Sequence, residues 1–95
     1  MLVIRSVFQA KYGKGGDLVA LFKEAENTMP EMSDIRILTD ATGPMFTVVY
    51  EQDAENFADW EERRGKIFSH PDFGDWFARM EPLVETGHRE FYYIE

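Results

Sequence analysis

Three side chains in this sequence could move a proton or hold an anion, and their positions matter. His70 stands just before Pro71 at what has the pattern of a helix start. An imidazole changes charge near neutral pH, so it can act as general base, proton shuttle or haem ligand; it can also simply pack or cap at that turn. Arg64 interrupts an apolar stripe made by Phe57, Trp60, Ile67 and Phe68. Buried arginines are rare unless paired, and a guanidinium there can grip an anionic group through two parallel hydrogen bonds. It can equally pair along the helix with Glu61 or Glu62, or lay its stem over the apolar neighbours with its head in water. His88 opens the last strand-like segment and is expected to be exposed. The chain has no cysteine, and its two histidines lack His-x₃-His spacing, so no metal site is expected. Gly13-Lys-Gly-Gly16 lacks both phosphate-loop spacings, Asp72 and Asp75 suit a helix N-terminus, and no serine lies in a GxSxG elbow.

Elements must place these groups. Residues 2–11 alternate with period two, putting Leu2, Ile4, Phe8 and Ala10 on one face. Tyr12-Gly-Lys-Gly-Gly16 breaks that strand. A helix follows, with Asp17 in its first turn, a stripe of Leu18, Leu21, Phe22, Ala25 and Met29, and a stop at Pro30. A strand is expected over 34–42, a turn at Gly43-Pro44 and a second strand over 45–52, paired as an antiparallel hairpin. Asp53 is the expected N-cap of the next helix. Ser69-His-Pro-Asp72 marks a fresh helix start whose apolar face is Phe73, Trp76, Phe77, Met80 and Leu83. Gly87 precedes a last strand over 88–94. The order βαββαβ, with the second helix split in two, is the ferredoxin-like plan: an α+β domain with one antiparallel sheet and its helices on one face.

Composition narrows the function classes. The 95 residues make one domain, 1–95, with Lys+Arg 10 against Asp+Glu 18 and a net charge of −8. Phosphate-rich partners are bound through excess Lys and Arg, so nucleic acid and anionic membrane surfaces are not expected partners. The opening Met1-Leu-Val-Ile-Arg5 lacks the basic-then-apolar pattern of a secretory signal, and the apolar run Met45–Tyr50 is too short to span a bilayer. A cytoplasmic location is the expectation.

Helices on one side leave the other sheet face bare. That face would carry Val3, Arg5, Val7 and Gln9 from the first strand and Arg36 and Leu38 from the second. Arg5 and Arg36 are expected to pair there with Asp40 or Glu51. The last strand carries aromatics on both faces, which suggests that both are covered. A contiguous apolar patch usually marks an interface, so a homodimer is expected.

The opening strand Ile4-Arg-Ser-Val-Phe-Gln9, the helix segment Phe57-Ala-Asp-Trp60, the segment His70-Pro-Asp-Phe-Gly-Asp-Trp-Phe77 and the close Gly87-His-Arg-Glu-Phe-Tyr92 together carry a resemblance. The whole chain resembles the dimeric α/β-barrel superfamily, and within it the antibiotic-biosynthesis-monooxygenase-like and NIPSNAP-like proteins. The resemblance implies two sheets packed face to face and one pocket per subunit between helices and sheet. Its lining would include Ser6, Phe8, Tyr50, Trp60, Arg64, Phe68, His70, Phe73, Trp76, Phe77, Met80 and Tyr92. The ligand it implies is a small apolar or aromatic molecule, and the chemistry cofactor-independent oxygenation or proton transfer. Trp60 and Phe77 would then be walls, His70 would move protons, and Arg64 with Tyr50 would stabilise negative charge on oxygen. The haem-degrading branch would add a strand Asn and a helical His; the strand offers Ser6, Phe8 and Gln9, and the matching helix position is near Phe77. No cofactor is therefore expected. The alternative is a non-enzymatic interaction dimer whose aromatic core is filled.

Overall fold

Alternation along the first strand organises the molecule. In the computed structural model, which describes residues 1–95, β1 (Leu2–Ala10) lies between two strand neighbours and buries Leu2, Ile4, Ser6 and Ala10 on one face. After it come α1 (Gly15–Thr28), a 3-10 turn at Pro30–Met32, β2 (Arg36–Thr39) and β3 (Thr47–Ala54). The chain continues with α2 (Phe57–Ser69), α3 (Phe73–Met80), a second 3-10 turn at Glu81–Leu83 and β4 (Val84–Tyr93). The strands pair antiparallel throughout, in the order β2-β3-β1-β4. This is the expected ferredoxin-like α+β fold. The sheet of one chain is open and does not close into a barrel. No helix is long and apolar enough to cross a membrane.

Element ends differ from expectation for local reasons. β2 is shorter than 34–42, because Asp40 leaves the strand and its carboxylate accepts the Thr47 N–H at 3.0 Å. The loop then turns through left-handed backbone at Gly43 and Phe46, so β3 starts at Thr47 rather than residue 45. Asp53 is not the cap of α2; it is paired with Val3 in the sheet. Asn56 caps instead, its Oδ1 accepting the Asp59 N–H at 2.8 Å while the Asp59 carboxylate accepts the Glu55 N–H at 3.0 Å. The α2–α3 break falls where expected. It is held by the His70 ring, whose Nδ1 accepts the Asp72 N–H at 3.1 Å, while Ser69 bonds back to Gly65 rather than capping α3.

Gly87 lies inside β4, not ahead of it, and faces Phe8 across the ladder. A Cβ there would stand 2.9 Å from Phe8 Cδ1 and 3.3 Å from the Val7 carbonyl oxygen. The missing side chain makes room for the Phe8 ring. Gly87→Ala is expected to cost about 1–3 kcal/mol by overpacking, read from the urea midpoint at unchanged slope; an unchanged midpoint would show that the ring moves aside freely.

The core has two parts. Leu18, Phe22, Ala25, Met29, Val48 and Trp76 belong to the larger, where α1 and α3 meet the sheet. Leu2, Ile4, Ala54 and Trp60 form the smaller, under the start of α2, with Phe91 packed against it. Arg79 of α3 ties to α1 through Glu24, with Nη1 3.1 Å from Oε1. That hydrogen bond holds the Glu24 carboxyl below its ordinary value of 4.5. Since the folded value is the lower one, the tie stabilises fully above the ordinary value and is lost as pH falls through the folded one. Amide exchange in α3 is expected to accelerate below about pH 4.5 relative to β1; equal acceleration in both elements would show that the tie is not what holds α3.

Candidate functional site

The two parts of the core do not meet completely. Between them lies a cavity of about 190 Å³, walled by α2, α3 and the helix-side face of the sheet. Eleven of its fourteen lining residues are hydrophobic. Register explains how the sheet contributes. Ser6 pairs with Tyr50 on one side and Arg89 on the other, and opposed residues share a face, so Tyr50 and Arg89 point with Ser6 toward the helices. From α2, successive turns bring Trp60, Arg64 and Phe68 to the cavity, with Ile67 beside them; α3 brings Phe73, Trp76, Phe77 and Met80.

The rings form a connected wall. Phe22 meets Tyr50 edge-on with centroids 5.1 Å apart, Trp76 lies 5.7 Å from Phe22, and Phe73 stands 6.1 Å from Trp76 and 5.7 Å from Phe77. Trp76 is fixed by its indole N–H, which donates to the Leu21 carbonyl at 2.8 Å. Phe68 and Phe77 remain about half exposed at the α2–α3 side. Polar groups are few. The Tyr50 hydroxyl makes no hydrogen bond within the protein. Gln52 is buried, and its carbonyl oxygen has no donor. The Arg64 Cζ lies 5.2 Å from the Trp60 ring centre and 4.9 Å from that of Phe68. The Arg89 Cζ lies 5.2 Å from the Trp60 ring centre, and its Nε donates to Ser6 Oγ at 3.1 Å.

Of the residues expected in the lining, Phe8, Tyr50, Trp60, Arg64, Phe68, Phe73, Trp76, Phe77 and Met80 are there. Ser6 is buried beneath the cavity and meets it through Arg89. His70 is not in the lining; it sits at the end of α2 with its ring bound to the Asp72 backbone. Tyr92 is on the opposite face of the sheet, opposed to Val3, and donates to Glu90 at 3.0 Å. That bond holds the Tyr92 phenol above its ordinary value. Alternation along β4 cannot admit both Tyr92 and Arg89 on one face, and the pairing with Ser6 selects Arg89. Phe22, Met32, Gln52, Ile67 and Arg89 are lining residues that the sequence reading did not assign. No group of three or more His, Cys, Asp or Glu side chains is placed to hold a metal ion.

The bare face of the sheet is organised by charge. One rung crosses all four strands as Arg36, Glu51, Arg5 and Glu90, each opposite the next. Arg5 Nε lies 2.9 Å from Glu51 and its Nη1 3.8 Å from Glu90, while Arg36 donates to Glu51. The expected pairing of Arg5 and Arg36 with Glu51 is thus present; Asp40 serves the loop instead. Hydrogen bonds from His88 and then Tyr92, with Arg5 nearby, hold the Glu90 carboxyl below its ordinary value. Val3, Val7, Leu38 and Val49 lie around the rung on the same face.

The sequence matches no protein-family model and no curated protein. Its fold is shared with solved structures along nearly the whole chain. A NIPSNAP family protein from Agrobacterium tumefaciens superposes with a TM-score of 0.87 at 19% identity, over 97% of this chain and 90% of that one. An uncharacterized NIPSNAP domain protein from Burkholderia xenovorans gives 0.85 at 17% identity, over 100% and 95%. A candidate antibiotic biosynthesis monooxygenase from Chloroflexus aurantiacus gives 0.73 at 16% identity, over 96% and 89%. At these identities the likeness is one of fold: the chain has the ferredoxin-like fold found in NIPSNAP-type proteins and, at lower similarity, in monooxygenase-type ones.

Proposed function

We propose that this chain binds a small, largely apolar molecule with an aromatic ring in the cavity between α2, α3 and the sheet. The cavity itself carries the reading. Small-molecule sites are usually apolar hollows edged by a few polar groups, and an interaction module with a filled core would have no such space beside Trp60. At about 190 Å³ the cavity is smaller than sites for drug-sized ligands, and larger than the roughly 150 Å³ hole that takes up benzene. One or two fused rings are the right size. Tyr50 and Arg64 equip it for reactions that build negative charge on a substrate oxygen. Cofactor-independent oxygenation and proton transfer beside a carbonyl share that need. His70 has no part in this reading, because its ring faces the α2–α3 turn. The working unit in this reading is a homodimer formed through the bare sheet face, whose charges are already paired within the chain.

Trp60 and Trp76 are the only tryptophans, and both line the cavity, so tryptophan emission reports directly on it. Titration with one- and two-ring aromatics, both neutral and acidic, is expected to give a saturable change in emission and a matching rise in melting temperature. Met80→Trp, which puts bulk into the cavity, is expected to weaken that thermal shift tenfold or more in apparent affinity while far-ultraviolet circular dichroism stays native. No response from wild type to any of the compounds, or an equal response from the filled variant, would remove the cavity as a binding site.

A further inference from the structure

We infer that the molecule taken up by this cavity is an anion, an aromatic carboxylate or a group of like charge, held at the cavity's polar edge by Arg64 and Arg89. The inference rests on the cavity being a binding site and names the chemical class of its ligand. The chain has six arginines. Arg5 and Arg36 hold Glu51, Arg63 holds Asp59, and Arg79 holds Glu24. Arg64 and Arg89 hold no carboxylate, although Asp and Glu outnumber Lys and Arg by 18 to 10. They are also the two arginines that line the cavity.

Their arrangement leaves donors free for a ligand. Both guanidinium carbons lie 5.2 Å from the centre of the Trp60 ring. At that distance each guanidinium is within cation–π reach of the ring, and Arg64 donates to no acceptor within the protein. Arg89 gives only Nε to the protein, to Ser6 Oγ at 3.1 Å, and its two terminal nitrogens are uncommitted. Ser6 is therefore a positioning residue: its buried hydroxyl sets the direction of Arg89 from below. The flanking rings supply the apolar body of the site, and a free guanidinium fork at its edge matches a carboxylate in shape and charge. On a protein of net charge −8, long-range attraction does not favour an anion, so its recognition falls to these local donors.

The test uses acid and amide pairs of equal shape: benzoate with benzamide, phenylacetate with phenylacetamide, and 1-naphthoate with 1-naphthamide, titrated by tryptophan emission at low salt. Wild type is expected to prefer the acid of the best-binding pair by about tenfold or more. Arg64→Gln and Arg89→Gln are each expected to reduce that preference at least about fivefold, leaving the amide within threefold of its wild-type affinity. Arg89→Lys keeps a charge should the glutamine variant fail to fold, and is expected to recover part of the preference. Ser6→Ala is expected to lower the acid-to-amide ratio without changing amide affinity, which loss of packing alone would not do. Equal affinity for acid and amide in wild type would overturn the inference and leave the cavity as a site for neutral molecules. A preference that survives both arginine substitutions would overturn the assignment to Arg64 and Arg89. Failure of every compound to bind would remove the cavity reading and the inference with it.

Discussion

Replacing Trp76 with alanine is expected to cost about 3–5 kcal/mol, the range for removing a large aromatic from a core. Trp76 is 5% exposed, lies against Phe22 and Phe73, and gives its indole N–H to the Leu21 carbonyl. Its loss therefore removes ring contacts and a buried hydrogen bond that pins α3 to α1. The void also adjoins the cavity beside Trp60, so the larger and smaller parts of the core would be separated by one continuous space. Few elements remain to compensate: α2 buries only Trp60 fully, and α3 buries only Trp76. A domain of this size has a total stability of roughly 5–15 kcal/mol, and each kcal/mol moves its melting temperature by about 4–8 °C. A drop on the order of 15–30 °C is expected by calorimetry. Trp76→Phe keeps most of the ring volume and separates the hydrogen bond, expected at about 1 kcal/mol, from the packing. A loss of under 1 kcal/mol for the alanine variant would mean that α3 contributes little to the fold.

The fold was legible because its signals are local and redundant. Period-two alternation in 2–11, the helical stripe from Leu18 to Met29 with its stop at Pro30, and the helix break around Pro71 each require only neighbouring residues, and each has its counterpart in the structure, though β1 ends at Ala10 and the new helix begins at Phe73 with Pro71 ahead of it. The misplacements arose where a longer-range contact decides. Asp53 resembles a helix cap in isolation, but the ladder with β1 claims it for the sheet. Gly87 resembles a turn residue, and only the Phe8 ring opposite explains a glycine inside a strand. The helix contribution to the cavity lining was legible in the same way. Trp60, Arg64 and Phe68 follow from one helix face, and Phe73, Trp76, Phe77 and Met80 from another. The sequence reading places Tyr92 in the lining and not Arg89, the reverse of the structure, because their facing depends on register with Ser6, and register is not written in β4 alone. His70 is a case of the opposite kind: its neighbours Pro71 and Asp72 point to a helix start, and the structure uses its ring there. The separation of Arg64 from Arg63 and Lys66 was likewise hidden. All three lie on one turn of charge, yet Arg63 takes Asp59 and Lys66 takes Glu62, leaving Arg64 to the rings.

In the homodimer we propose, Val7→Asp is expected to convert the dimer into a monomer. The rung Arg36, Glu51, Arg5, Glu90 alternates in sign across the bare face. A second copy laid over it with its strand order reversed sets Arg36 against Glu90 and Glu51 against Arg5, so every charge meets its opposite. Within one chain the charges are already paired, Glu51 in particular by two arginines at only 9% exposure. Covering the face therefore buries few uncompensated ions, while Val3, Val7 and Leu38, each partly exposed in the single chain, supply apolar surface to remove from water. Val7 lies opposite Val49 and His88, close to the rung. In a symmetric pair the substitution enters twice, placing two unpaired carboxylates in the interface at a cost of roughly 2 kcal/mol or more each. Together that weakens association by about a thousandfold. Sedimentation equilibrium is expected to give a wild-type mass near twice the 11.1 kDa chain and a variant mass of one chain, with native circular dichroism in both. The ligand-induced thermal shift of the variant is expected to persist, since the cavity lies on the other side of the sheet. A wild-type mass of one chain at tens of micromolar would defeat the dimer outright, and a variant that stays dimeric would move the interface to another face.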